Sequence, residues 1–110
     1  MITYTADDGL RVLTYLHLTN LTAAEINTFR LLWEEVYRRN SGNPVLTIWK
    51  LYSEVVPFTC CKDERAAMRV ARARDADFEA RLVKSGLKER LDTGEPLEEI
   101  MAGFYSREVH

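Results

Sequence analysis

Apolar residues recur every three or four positions along most of the chain, the spacing that lays a helix face on a core. The clearest case begins at Thr22-Ala-Ala-Glu25, which has the form of a capping box: hydroxyl and carboxylate each satisfy a free backbone N–H of the first turn. The spacing predicts a helix from Ala23 to Arg39, with Ile26, Phe29, Trp33, Val36 and Tyr37 in one stripe and Leu31 alone on the polar side. It ends in the turn-rich residues 40–44, where Asn43 and Pro44 suit the cap and first residue of the next helix. Residues 45–56 place Val45, Ile48, Trp49, Tyr52 and Val56 at helical spacing, although their β-branched and aromatic content also suits a strand, and Pro57 closes the segment in either reading. Residues 62–85, rich in Ala, Arg and Glu and ended by Gly86, describe the longest helix.

The two ends are less regular. Before residue 20, Leu10, Val12, Leu16 and Leu18 alternate as a strand would and Asp7-Asp8-Gly9 resembles a hairpin turn, yet Asp8 also suits the cap of a helix over residues 10–18. The helix is preferred. The last stretch breaks at Gly86 and at Thr93-Gly94, then restarts at Pro96 with Leu97, Ile100, Met101 and Phe104 on one side. The pattern describes a mainly α fold, one small domain of four to five helices, with a short N-terminal β-hairpin as the alternative.

Composition changes this picture little. The 110 residues suit one domain, and 46% apolar with 29% charged residues is an ordinary globular balance. A net charge of −2 means that any attraction to nucleic acid or anionic lipid must come from a local patch. Arg outnumbers Lys by 11 to 4, which supplies planar, multidentate donors. Cys60 and Cys61 are adjacent, too close to bridge without strain, and read as reduced thiols. With no signal-like N-terminus and no apolar run of about eighteen residues, the expected location is cytoplasmic.

Local signatures of catalysis are missing, and no cofactor or metal is expected: there is no Gly-rich phosphate loop, no nucleophile elbow and no paired-His helix. His17 and His110 stand far apart in sequence. A thiol of Cys60 or Cys61 would be activated only at the N-terminus of the long helix, and small buried residues are the preferred reading. Glu34-Glu35 and Glu98-Glu99 point about 100° apart and read as solvated faces.

A stronger feature is the long helix, where Arg65, Arg69, Arg72 and Arg74 fall in ten residues without an acid. Arg65, Arg69 and Arg72 share one face, opposite an apolar stripe of Ala67, Ala71, Phe78 and Leu82. Such a ridge either pairs with the chain's own acids or docks on phosphates or an acidic protein surface. Asp75, Asp77 and Glu79 follow at once and limit its reach along DNA.

Residues 21–25 (Leu-Thr-Ala-Ala-Glu) with residues 31–34 (Leu-Leu-Trp-Glu) resemble the opening helix of winged-helix repressors of the penicillinase-repressor type, over 14 of the 110 residues. After it the chain departs: residues 45–56 are apolar and aromatic where that family leads toward a recognition helix. Function is therefore expected from the residues themselves. The expectation is a non-enzymatic regulator or adaptor that binds a partner protein, for example an antiactivator of a transcription factor. A nucleic-acid-binding regulator using the Arg face is the alternative. The chain is expected to form a homodimer, and Leu97, Ile100, Met101, Phe104 and Tyr105 join the Arg ridge as partner-binding residues.

Overall fold

The computed structural model describes residues 3–94 and 99–100. The elements run α1 (Ala6–Tyr15), α2 (Ala23–Arg39), α3 (Pro44–Lys50), a π turn (Leu51–Val55), α4 (Val56–Cys60), α5 (Glu64–Ser85) and α6 (Leu87–Asp92). The mainly α expectation holds, and no strand occurs among the described residues.

The N-terminal segment takes the helical alternative, but with a different cap. Thr5 is the N-cap of α1 and Asp8 is its third residue: Thr5 Oγ1 accepts from the Asp8 N–H, and the Asp8 carboxylate accepts from the Thr5 N–H at 2.8 Å. Asp8 thus completes a capping box rather than opening the helix. Gly9 is buried where α1 crosses α2 against the rings of Phe29 and Trp33. The extended residues before α1 are held by α2, since Trp33 Nε1 donates to the Tyr4 carbonyl at 3.0 Å and Tyr37 Oη accepts from the Tyr4 N–H at 3.1 Å.

Helix α2 begins at the capping box read from the sequence, with Thr22 and Glu25 bonded reciprocally. Its stripe buries Phe29 and Trp33 and half-buries Ile26, Val36 and Tyr37, while Leu31 stands 83% exposed. Both α1 and α2 end in the same device. The residue after the cap, His17 or Ser41, takes a positive φ of 61° or 55°. The N–H of the following Leu18 or Gly42 then reaches back to the carbonyl of Leu13 or Tyr37. These bonds satisfy carbonyls that the last turn leaves free.

The expectation that Pro57 ends the third segment is corrected: residues 44–60 form one unbroken rod through it. In an α-helix, Pro57 would withdraw a donor and press its ring on the carbonyl of Ser53. The rod instead widens, and the Val56 N–H bonds to the Leu51 carbonyl, five residues back. The rod buries Val45, Thr47, Ile48, Leu51, Tyr52, Ser53 and Val56 and leaves one exposed stripe, Leu46, Lys50, Glu54 and Phe58. It packs between α2 and α5, while α1 leans on α2 and α6 joins α5 to α3.

Helix α5 starts at the Asp63 cap and stops at Gly86, whose φ of 71° suits a residue without Cβ. Its buried face is Ala67, Arg74, Phe78 and Leu82, with Ala71 half-buried. Helix α6, for which the sequence reading left only breaks, carries Leu87 and Leu91 into the core.

Candidate functional site

Two groups of charged side chains are set apart by α5, one facing solvent and one buried. Arg65, Arg69 and Arg72 are all exposed on the outer face, and among the described residues none of the three side chains forms an ion pair or hydrogen bond. Asp63 spends a carboxylate oxygen on the Arg65 backbone N–H, as a helix cap. Beside the ridge Met68 is 41% exposed, and further along the same outer face Val83 is 73% exposed. From Arg65 to Val83 this face extends about 27 Å. It combines guanidinium groups with uncovered apolar side chains, interrupted by the exposed Glu79.

The fourth arginine of the cluster is of a different kind. Arg74 lies at the stripe position between Ala67 and Phe78, and its side chain is only 6% exposed. Its Nη2 meets Glu25 Oε2 at 2.8 Å, its Nη1 donates to the Tyr52 carbonyl at 3.2 Å, and its guanidinium lies 4.8 Å from the centre of the Tyr52 ring. The π turn accounts for the second bond. With Val56 bonded to Leu51, the next donor for the Tyr52 carbonyl is Pro57, which has no N–H, and Arg74 fills the place. Glu25 in turn caps α2 with Oε1 and pairs with Arg74 through Oε2. The network continues from Tyr52 Oη, which donates to Asn20 Oδ1 at 2.9 Å. Burial pushes the Tyr52 phenol above its ordinary value of 10.0, partly offset by the charge of Arg74, raised further by Asp77, and lowered by the Asn20 bond and Arg81. Arg74 therefore belongs to the framework, joining α2, the π turn and α5.

The thiols lie elsewhere than the activating position. Cys60 ends α4 and Cys61 is its C-cap, so neither is in the first turn of α5, which begins at Glu64 after the Asp63 cap. Cys60 Sγ is 3.5 Å from Thr28 Oγ1, and both thiols are half-buried. His17 is exposed at the end of α1, and His110 lies outside the described residues.

The terminal stripe is divided. Ile100 is fully buried and belongs to the core cluster, so in the folded chain it is covered by the protein itself, whereas Leu97, Met101, Phe104 and Tyr105 lie outside the described residues. No helix among the described residues is long and apolar enough to cross a membrane.

Two of the grooves among the described residues are lined by more than one element. One, of about 650 Å³, lies between the extended residues 3–5 and α2 and is walled by Tyr4, Trp33 and Tyr37 with Arg30 and Arg38 at its edge. Arg30 is already paired with Asp7 at 3.2 Å. The other, of about 520 Å³, lies between the end of α1 and the end of α5. Sequence reasoning found the ridge from its spacing but not the grooves, because they form between segments distant in the chain. Compared with protein families, curated proteins and solved structures, the chain matches none.

Proposed function

We propose that this chain is a non-enzymatic regulator or adaptor that binds a partner protein through the outer face of α5, for example by sequestering a transcription factor or an enzyme. One observation carries the proposal: Arg65, Arg69 and Arg72 are exposed together with no acid of the described chain committed to them. A ridge that only solubilised the helix would gain by i,i+4 pairing with its own carboxylates, as Arg39 does with Glu35 at 2.8 Å. Exposed Met68 and Val83 on the same helix add the residue chemistry of a protein interface, and Glu79 interrupts the continuous positive track that a nucleic-acid backbone favours. The partner is a protein surface bearing carboxylates, which guanidinium groups grip bidentately.

The test is a photo-crosslinking residue placed at Arg69 and, as control, at Leu31. Crosslinking to a discrete protein from Arg69 only, lost when Arg65 and Arg72 become Glu, is the expected result. No crosslink, or one that survives both charge reversals, overturns the proposal. Binding to short duplex DNA at low salt that weakens steeply as salt rises would move the ridge to the nucleic-acid reading.

A further inference from the structure

We propose that the groove between the end of α1 and the last turns of α5 binds a phosphate monoester. Three basic residues, His17, Arg81 and Lys84, line it, and no acidic residue does. Among the described residues none of the three is in an ion pair. Their convergence is made by tertiary structure, since His17 closes α1 while Arg81 and Lys84 come from α5.

The carbonyl end of a helix repels anions, which argues against a phosphate beside the ends of α1 and α5. Side chains reduce that repulsion: at the end of α5 the Ser85 hydroxyl donates to the Leu82 carbonyl at 2.9 Å, and at the end of α1 Arg81 Nη1 donates to the Leu16 carbonyl at 2.9 Å. The second bond fixes the guanidinium plane and leaves Nε and Nη2 for a ligand. His17 supplies a second reason. It sits at a φ of 61°, in the left-handed region where glycine is unstrained, and the bonds that close the helix there come from backbone N–H groups and from Arg81, not from the imidazole. The helix end therefore does not need an imidazole at this position, and the exposed His17 side chain is left to line the groove. The groove's about 520 Å³ is in the range of small-molecule sites and exceeds what a bare phosphate fills, so the ester's organic part lies along Tyr15 and Ala80.

The monoester could be soluble or a lipid headgroup, and two arms separate them. In the first, the full chain is titrated with phenyl phosphate at constant ionic strength while backbone amide resonances are followed. The expected result is saturable shifts at residues 15–17 and 80–85, with acetate giving none. His17→Gly and Lys84→Gln each weaken binding about five- to tenfold. His17→Gly also raises Tm, so lost affinity cannot be blamed on lost fold. Shifts that stay linear, that acetate reproduces, or that are unchanged in both variants overturn the site. In the second arm the chain is floated with phosphatidylcholine vesicles with and without phosphatidic acid. Flotation that requires phosphatidic acid and is competed by phenyl phosphate assigns a headgroup. Absence of flotation beside saturable phenyl phosphate binding assigns a soluble ligand.

Discussion

Ser41 and Gly9 show opposite uses of a missing or present Cβ. Ser41 occupies the left-handed region at the end of α2 with a φ of 55°, a conformation that costs any residue bearing a Cβ. Ser41→Gly is therefore expected to raise stability by about 0.5–1 kcal/mol, read as a shift of the urea midpoint at unchanged slope. At Gly9 the balance reverses. Alanine is the better helix former by about 1 kcal/mol, but its Cβ would lie 2.6 Å from a ring carbon of Trp33 and 3.0 Å from one of Phe29. Both rings are buried, so they cannot swing aside. Gly9→Ala should destabilise the protein by about 1–3 kcal/mol despite its better propensity, measured by the same denaturation. Neither effect is legible in the sequence, because the helix ends carry His and Ser instead of the glycine signal, and because Gly9 beside two aspartates looks like a turn.

Among the elements, those whose spacing repeats over several turns were the ones the sequence disclosed. The stripes of α2 and the rod, the Thr22 box, the Asn43-Pro44 start and the Gly86 stop all appear where the pattern places them. What it hid depends on contacts between segments. Pro57 reads locally as a stop, and the donor that the Tyr52 carbonyl finds in the continuous rod is the Arg74 side chain, 22 positions after Tyr52. Arg74 itself reads as one more surface arginine in a cluster of four, although its place on the stripe of Ala67, Phe78 and Leu82 was available from the periodicity. Helix α6 is too short for a period to show. The three ridge arginines were legible for the contrary reason, since an exposed face needs no partner to be recognised. The Glu25–Arg74 pair gives a test at this scale. Arg74→Met should cost about 3–5 kcal/mol, because it strands a nearly buried carboxylate and a backbone carbonyl. Adding Glu25→Gln, which keeps the Thr22 cap bond, should recover part of that loss, and a double-mutant cycle by chemical denaturation measures the coupling. Strict additivity of the two changes would show that the pair contributes nothing.

For the whole molecule, stability and pH are linked through Tyr52. Its phenol is raised above 10.0 in the folded state, so on going above pH 10 the unfolded chain releases the proton first. The unfolded state then binds fewer protons than the native one, and unfolding free energy falls as pH rises. Below that range both states are protonated and the contribution is constant. Tyr52→Phe should flatten the alkaline decline of Tm while lowering Tm at neutral pH through loss of the Asn20 bond. A decline of equal slope in the variant would place the alkaline sensitivity elsewhere. Ile100 tests how far the core reaches toward the C-terminus: Ile100→Asp should cost at least about 3 kcal/mol by burying an unpaired carboxylate, with the loss visible as reduced helical circular dichroism on mild heating. The rod at residues 44–60 also has a bearing on the order in which the chain is made. It is the middle of the fold but not the middle of the story on the ribosome, for its covering helix α5 is translated after it. Until Arg74 leaves the exit tunnel, the Tyr52 carbonyl and the Glu25 carboxylate both wait without their donor, and the apolar rod lies open on one side. The contacts among α1, α2 and the rod can form first, but the rod's remaining side is covered only once α5 has been made.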